Sequence, residues 1–368
     1  MTERINKRFG GVRNLAFAII LLALTLGFVL DIRQTERVMP LAAYFYLLFA
    51  TIFVFYGLYP LYANRRLTLY YWDRIKRHRL SVYGLAFIIF LSVVALIGPA
   101  FTVDPTLPNF SEQSLPPAGF TAEQSYYDTS TDNFIVKEKI GSWLHPLGTD
   151  DKGRDMLAML VSGTRVSLSV GLMATLIAIS IGVVLGVASA YFGGWFDNIV
   201  MRFTDIMMTF PFFLLLVFIV FIYGPSLVFI VVAIGLTGWT GTARMVRSEA
   251  LSLRTRDYIM AAKSLGVSDA RIILRHLIPN VVSTVIVIAT MSIPGVIMAE
   301  AGLSFIGLGD TNTISWGQVL YAGQQTLTNL TNAWWIAVEP GILLFFTVLA
   351  FNFLGDGLRD AFDPRSQV

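Results

Sequence analysis

The sequence lacks cysteine and is poor in charge: none of its 368 residues is Cys, and Asp, Glu, Lys and Arg together make up 14%. The absence of cysteine excludes disulfides, thiolate metal sites and cysteine nucleophiles. A typical soluble domain has about 25% charged residues. With 55% hydrophobic residues and a mean hydropathy of +0.66, the chain instead has the composition of a polytopic membrane protein.

The sequence also lacks the common catalytic motifs. No G-x-x-x-x-G-K-[ST] phosphate loop, H-E-x-x-H zinc motif or G-x-S-x-G nucleophile motif occurs. The three histidines, His78, His145 and His276, are widely separated. The net charge of +3 is spread over several segments and forms no nucleic-acid-binding stripe. We therefore predict no catalytic, cofactor or metal site on this chain.

Eight apolar runs approach the length of about 20 residues that a membrane-spanning helix needs. They are Leu15–Leu30, Pro40–Tyr62, Ser81–Phe101, Val166–Phe192, Phe203–Tyr223, Leu227–Ala243, Val281–Ala299 and Trp335–Leu354. An even number of spans places both termini on the same side of the membrane. The long polar stretch from Thr102 to about Thr164 predicts an extracytoplasmic cap or loop.

The distribution of basic residues orients these spans. With the N-terminus in the cytoplasm, 20 of the 27 Lys and Arg residues lie in cytoplasmic segments and 7 lie outside. Cytoplasmic loops carry an excess of Lys and Arg, so we predict a multi-pass protein of the cell membrane with both termini in the cytoplasm. The same count predicts a cytoplasmic location for residues Glu249–Asn280.

The stretch Glu249–Asn280 is the only long, charged, helix-forming segment among the apolar runs. It has four residues at i, i+3, i+4 and i+7, which share one side of a helix: Tyr258, Ala261, Ala262 and Leu265. Gly266 predicts the end of that helix, Ser268 a cap for a second short helix, and Pro279 the start of the next span. The pattern therefore predicts a helix–glycine–helix elbow.

Ala261-Ala262 followed by Gly266 and Pro279 resembles the EAA loop in inner-membrane permeases of binding-protein-dependent ABC importers. Further motifs resemble the second permease of the dipeptide/oligopeptide/nickel branch, the OppC/DppC-like subunits. These motifs are His145-Pro146-Leu147-Gly148-Thr149-Asp150, Gly153-Arg154-Asp155, Ala299-Glu300-Ala301-Gly302-Leu303-Ser304-Phe305 with Gly307-Leu308-Gly309, and Gly355-Asp356-Gly357-Leu358-Arg359-Asp360. The resemblance covers roughly His145 to Pro364. Met260 stands where the family has the glutamate of the EAA loop, so no contact of that carboxylate is carried over.

The resemblance implies an all-α polytopic membrane protein with a type I permease core and a cytoplasmic coupling-helix loop, plus an extra N-terminal helical hairpin. We predict a transmembrane hairpin at 1–64, a basic segment with the first family-type span at 65–101, and an extracytoplasmic loop at 102–164. The core of five spans would occupy 165–356, with its coupling loop at 243–280, and a cytoplasmic tail would occupy 357–368.

The implied function is that of a permease subunit of an ABC importer, for peptides first, with nickel chelates and oligosaccharides as other cargoes. The implied partners are a second homologous permease, two ATPase subunits that bind ATP and Mg²⁺, an extracytoplasmic substrate-binding protein and membrane lipid, but no nucleic acid. Contact with the ATPase would fall on Asp257, Tyr258, Ala261, Ala262, Leu265 and Gly266. An elbow resting on the bilayer surface is the alternative for this segment.

Four residues in or near the spans are candidates for the pathway or its gate. Asp205 and Glu300 are ionisable groups near hydrocarbon, and Pro211 and Pro294 can bend their spans. For Asp205 the alternative is an ion pair with Arg202 at i−3; for Glu300 it is a structural bridge to the outer loop. Residues 301–334 predict an outer loop or a short re-entrant helix.

Two other function classes are compatible with parts of the sequence. An ion-coupled secondary transporter or channel would need paired charges or broken helices near mid-membrane, and charge within the spans is sparse. The string Gly307-Leu308-Gly309-Asp310 resembles the G-x-G-D motif of intramembrane aspartyl proteases. Such catalysis needs a second carboxylate at the same site, but the available Tyr-Asp pairs, Tyr127-Asp128 and the nearby Tyr71-Trp72-Asp73, lie in polar loops.

Overall fold

The structure is a computed structural model that describes residues 2–32, 44, 47, 48, 51, 55, 63–128, 133–328 and 333–362. The chain forms two compact units, residues 1–78 and 79–368. The predicted segment 65–101 is therefore divided: its basic part belongs to the first unit and its apolar span to the second.

The first unit contains helices α1 (Thr2–Ile32) and α2 (Arg65–Ile75). The stretch Ala16–Asp31 of α1 is apolar but shorter than a full membrane span. The predicted second span, residues 40–62, lies almost entirely outside the described residues. Within this unit the ring centroids of Phe17 and Phe55 are 5.9 Å apart, which joins α1 to a described residue of that second run.

The second unit is mostly helical with one β-hairpin. Its elements are α3 (Arg79–Ile97), β1 (Thr121–Asp128), β2 (Asn133–Ile140), α4 (Met156–Phe192), α5 (Gly194–Thr209), α6 (Phe212–Tyr223), α7 (Leu227–Thr237), α8 (Trp239–Arg254), α9 (Asp257–Ser264), α10 (Asp269–Ile272), α11 (Ile278–Leu303), α12 (Trp316–Thr328) and α13 (Trp335–Phe362).

Five helical segments of the described chain are long and apolar enough to cross a membrane, and a bent pair can form a sixth span. The five are Arg79–Ala100, Met156–Phe192, Leu227–Arg254, Asp269–Leu308 and Trp335–Phe362. The bent pair is α5 and α6, whose axes differ by 84°. Each predicted span after residue 80 overlaps one of these segments or the bent pair almost completely.

One predicted boundary is wrong, because α4 begins at Met156 rather than at Val166. Asp155 caps this helix: its Oδ1 accepts a hydrogen bond from the backbone N–H of Ala158 at 2.7 Å. The polar segment therefore ends at Asp155, and the first turns of α4, which the sequence analysis assigned to the loop, continue the span.

Helix α4 is the centre of the second unit and packs against α3, α7, α8 and α11. Glycines allow α8 to approach closely, since a Cβ on Gly182 would lie 2.6 Å from Thr242 Cβ and one on Gly186 would lie 2.6 Å from the Ala243 carbonyl oxygen. Small residues permit such close helix packing in lipid. The Arg165 side chain donates to the Ala95 carbonyl of α3 at 2.8 Å.

The polar segment before α4 contains the β-hairpin, which was not predicted from the sequence. Strands β1 and β2 are antiparallel, with Thr121 opposite Ile140 and Asp128 opposite Asn133. We call residues 98–155 the hairpin module. It packs onto the helices through a buried cluster that includes Ala122, Met156, Val319, Trp335 and Ile336. The all-α class therefore holds for the membrane part, while the module adds a small sheet.

Buried polar contacts hold the module together. His145 contacts Asp155 with Nδ1 at 2.7 Å and Glu112 with Nε2 at 3.1 Å. Arg154 forms an ion pair of 2.6 Å with Asp150, whose side chain is fully buried. The motif from His145 to Asp155 thus folds the loop that leads into α4.

The segment after α11 is partly helical. A π-turn at Ser304–Leu308 is followed by α12, which packs against α13. The Trp316 indole N–H donates to the Leu160 carbonyl at 3.2 Å, which fixes the start of α12 to α4. Of the two predicted alternatives for residues 301–334, an outer loop or a short re-entrant helix, the structure contains a short helix, α12.

Candidate functional site

The elbow, residues Glu249–Asn280, connects two membrane-spanning segments. Residues 249–254 are the last turns of α8, and the chain bends at Thr255 before α9. Helices α9 and α10 are both short, and Pro279 lies in the first turn of α11. The elbow is therefore α9, a glycine turn and α10, followed by a π-turn at Ile273–Leu277.

Gly266 ends α9 with a left-handed backbone conformation, φ +74°. The N–H of Val267 donates to the Ala262 carbonyl at 3.1 Å, and that of Gly266 donates to the Lys263 carbonyl at 3.0 Å. These two bonds are the Schellman motif, which terminates helices with glycine. The predicted helix stop is confirmed. Ser268 does occupy the N-cap position of α10, but its side chain makes no capping hydrogen bond.

The inner face of the elbow is part of the core. Ile259, Ala262, Ile272 and Leu277 join a buried cluster with residues of α4, α8 and α11. Only 9% of the Ala262 surface is exposed. The sequence pattern predicted that Ala261 and Ala262 both lie on a surface open to another protein. For Ala262 this prediction is wrong, because residues 259 and 262 of α9 face inward and pack against the chain itself.

The outer face of the elbow is exposed and carries apolar side chains among charged ones. Leu265 is 83% exposed and Tyr258 44% exposed. Ala261 lies between them on the same side of the helix and is also exposed. Asp257 is exposed in the first turn of α9, where a carboxylate interacts favourably with the helix dipole. Five of the six predicted coupling residues, all but Ala262, are therefore accessible.

Two polar contacts fasten the elbow region to the end of α4. The Tyr191 hydroxyl donates to Asp269 Oδ1 at 2.6 Å. The Arg254 guanidinium donates to the Ala190 carbonyl at 3.0 Å. Local sequence patterns do not predict these contacts, because each contact joins residues on elements that are far apart in the chain.

Two ion pairs connect α5 to α8, the helix that leads into the elbow. Arg247 binds Asp197 through two hydrogen bonds of 2.5 and 2.6 Å. Arg244 binds Asp205 at 2.7 Å. The alternative that paired Asp205 with Arg202 is wrong, because α5 packs beside α8 and Asp205 pairs there with Arg244.

The other pathway candidates lie on α6 and α11. Pro211 is at the 84° bend between α5 and α6. Pro294 is buried within α11, which continues through it as one helix. Glu300 is 2% exposed, and one carboxyl oxygen accepts from the Ser304 hydroxyl at 2.7 Å. No described residue bonds its other oxygen, Oε2.

A bundle of spanning helices with a rigid elbow exposed at one end has the architecture of a membrane transport subunit. The family model for the binding-protein-dependent transport system inner membrane component matches residues 178–368. A second model, for the N-terminal TM domain of oligopeptide transport permease C, matches residues 67–117. The chain therefore belongs to the family of binding-protein-dependent transport system inner membrane components.

Curated relatives agree with this assignment. The dipeptide transport system permease protein DppC of Bacillus subtilis is 37% identical over 296 residues, which are 80% of this chain and 84% of the relative. The oligopeptide transport system permease protein OppC of Haemophilus influenzae is 41% identical over 224 residues, 61% of this chain and 71% of the relative. A chain of the inward-facing MetNI methionine ABC transporter has a TM-score of 0.46 at 22% identity, covering 56% of this chain and 98% of that chain.

The protein is thus a multi-pass inner-membrane permease subunit of an ABC importer. Its family works with a partner permease, ATPase subunits and a binding protein. The two other function classes that the sequence left open are wrong. The family is a binding-protein-dependent transport system and not a group of ion-coupled transporters, and it is a transport permease rather than an intramembrane protease.

Proposed function

We propose that this permease forms one half of a two-permease pathway for peptides, delivered by an extracytoplasmic binding protein and driven by two ATPase subunits. Relatives named for dipeptide and oligopeptide transport, at 37% and 41% identity, support the cargo class. ATP and Mg²⁺ bind to the ATPase subunits, and this chain supplies the helices and the elbow.

The observation that carries this proposal is the two-sided construction of the elbow. Its inner face is buried with α4, α8 and α11, so a force on α9 moves these three helices together. Its outer face offers Leu265, which is 83% exposed, together with Ala261 and the partly exposed Tyr258, whose ring lies near His276. Closure of the ATPase subunits would displace this face and switch the spans between inward- and outward-facing states.

An outer face with apolar side chains among charged ones could instead rest on the bilayer surface. The two interpretations differ in the surroundings of Leu265. In a groove of an ATPase subunit an added carboxylate would be buried without a partner, which is strongly unfavourable. At the lipid interface the same carboxylate could turn toward water, and ATP hydrolysis would stay coupled to transport.

Leu265→Glu tests the contact with the ATPase. In the complete transporter reconstituted with its binding protein and a peptide, we expect at least a tenfold loss of peptide uptake and of peptide-stimulated ATPase activity, about 1.4 kcal/mol or more of lost coupling. Insertion of the chain in the membrane should be unchanged, because Leu265 is 83% exposed. Normal stimulation would contradict the proposal.

Met260→Glu is the matched control. Met260 is 54% exposed on the same helix, at the position that the resemblance assigns to the glutamate of the EAA loop. The Met260→Glu substitution therefore introduces the same charge within the elbow. We expect peptide uptake and peptide-stimulated ATP hydrolysis of this variant to stay within about twofold of wild type. Equal loss in both variants would mean that a negative charge anywhere on α9 disturbs the complex.

A further inference from the structure

Glu300 is a buried carboxyl group at the end of α11, and only 2% of its surface is exposed. The Ser304 hydroxyl donates to its Oε1 at 2.7 Å. The hydroxyls of Ser167, on α4, and Ser315, directly before α12, face the same carboxyl. Burying such a group is costly unless polar partners surround it. Glu300 therefore lies at a polar contact point of three helices, α4, α11 and α12.

The first turn of α12 is held by the same hydroxyl groups. The backbone N–H of Trp316 donates to Ser167 Oγ, and that of Gln318 donates to Ser315 Oγ, both at 3.2 Å. The N–H groups in the first turn of a helix have no partner within the helix itself. In α12 two of them are bonded to hydroxyls that also face Glu300, which joins the carboxyl to the start of this helix.

The packing beside Glu300 brings α11 and α12 into direct backbone contact. A Cβ on Gly317 of α12 would lie 2.6 Å from Ala301 Cα and 2.7 Å from Ser304 Cβ, closer than side chains approach one another. If the end of α11 moved without α12, the carboxyl and its hydroxyl partners would separate within a buried region. Buried polar groups that lose their partners are unfavourable, so the structure favours movement of the two helices together.

The opposite end of α11 belongs to the elbow. Leu277 and Val281 lie in the buried cluster that contains the inner face of α9. From Val281 to Glu300 the helix extends roughly 28 Å at 1.5 Å per residue, and it continues through Pro294 as one helix. Helix α12 shares a second buried cluster with the hairpin module through Val319. Helix α11 therefore connects the elbow with α12 and, through α12, with the module.

We propose that Glu300 is a positioning residue that makes α12 follow α11 when the elbow is displaced. A movement of the elbow passes along α11, and the carboxyl with its hydroxyl partners transfers it to the first turn of α12 and from there to the hairpin module. Glu300 then transmits movement and does not contact cargo. The source of the movement, an ATPase subunit, rests on the proposed function, whereas the attachment of α12 to α11 does not.

Spin labels test the attachment directly, because the natural chain has no cysteine. Met298→Cys on α11 and Gln324→Cys on α12 introduce thiols at exposed positions. In the complete transporter, assembled with cysteine-free partner subunits, electron paramagnetic resonance gives the separation of the two labels without nucleotide and with ATP and vanadate. With Glu300 present, the separation should be the same in both states. With Glu300→Leu, its distribution should broaden and shift between the states.

Transport then tests the consequence, as the amount of peptide taken up per ATP hydrolysed by the complete transporter. Glu300→Leu should lower this ratio at least about tenfold, since it leaves several buried hydroxyls unpaired. Ser304→Ala removes one hydrogen bond and should lower it roughly two- to fivefold. Glu300→Gln should stay within about twofold of wild type, because its amide oxygen can still accept from Ser304. If Glu300→Leu does not insert in the membrane, Ser304→Ala supplies the same two measurements.

Ser292→Ala is the matched control for Ser304→Ala, because Ser292 is also on α11 and its hydroxyl donates to the Ile288 carbonyl of the same helix at 2.7 Å. It should leave the label separation and the transport ratio as in the wild type. A label separation that changes with nucleotide in the wild type, or that Glu300→Leu leaves unaltered, would overturn the inference. Fewer folded transporters at an unchanged transport ratio would show a merely structural role and overturn it too. A wild-type complex that moves no peptide would contradict the proposed function, while the label separation would still decide the role of Glu300.

Discussion

Gly266 sets the direction in which the chain leaves α9. Its φ of +74° lies in the left-handed region, and the two hydrogen bonds of the Schellman motif depend on that conformation. A side chain at this position would bring its Cβ too close to the following carbonyl. The residue therefore fixes the angle between the exposed face of α9 and the short helix α10.

Gly266→Ala should lower the free energy of unfolding by about 1–2 kcal/mol, the cost of a left-handed conformation for an L-residue. Gly266→Asn should lose less, because Asn adopts this conformation more readily. The measurement is detergent-induced unfolding of the purified chain. Gly341→Ala is the control, since Gly341 lies within a helix with free space around it; equal loss in both variants would show that left-handed strain is not the cause.

The role of Gly266 could be predicted from the sequence, because a glycine that follows an apolar helical stripe usually ends the helix. It was less informative for Ala262 and Asp269. Whether Ala262 faces inward depends on the rotation of α9 against α4 and α8, and Asp269 finds its partner Tyr191 on another helix. Both outcomes follow from tertiary packing, which a local pattern does not contain.

At the scale of elements, α5 and α8 are joined by two ion pairs with different degrees of burial. The side chains of Arg247 and Asp197 are 29% and 14% exposed. Those of Arg244 and Asp205 are 48% and 56% exposed. Exposed ion pairs contribute about 0–1 kcal/mol, whereas loss of a partner in a more buried pair leaves a poorly solvated charge.

Asp197→Ala should therefore lower the free energy of unfolding by about 1–3 kcal/mol, since it leaves Arg247 without its two hydrogen bonds. Asp205→Ala, as the matched comparison, should change it by less than about 1 kcal/mol. Both values come from the same unfolding assay. Equal effects would contradict the ranking by burial. Loss of uptake in Asp205→Ala at unchanged stability would assign Asp205 to the pathway, as the sequence analysis considered.

The elements that the sequence located best are the apolar helices, because hydropathy over a span-length window is a strong signal. The bend at Pro211 was also predictable, since proline removes a helical N–H. The β-hairpin was missed because its strands Thr121–Asp128 and Asn133–Ile140 lie in a polar segment and pair only with each other. The start of α4 was not predicted, because its N-cap residue, Asp155, lies in the polar hairpin module. The first turns of the helix were therefore assigned to the polar loop.

In the whole molecule, coupling to an ATPase depends on which side of the membrane the elbow occupies. The basic residues favour the cytoplasm, with 20 of 27 assigned to that side. The hairpin module, which contains Trp143 at 85% exposure, would then lie on the opposite side. ATP is available only in the cytoplasm, so the proposed coupling requires this orientation.

Single-cysteine labelling tests this orientation most directly, because the natural chain contains no cysteine. Leu265→Cys and Trp143→Cys each place one exposed thiol, on the elbow and on the hairpin module respectively. A membrane-impermeant maleimide applied to intact spheroplasts should label the cysteine at position 143, and should label the one at 265 only in inside-out vesicles prepared without the ATPase subunits. Labelling of position 265 in intact spheroplasts would place the elbow outside and contradict its coupling to an ATPase.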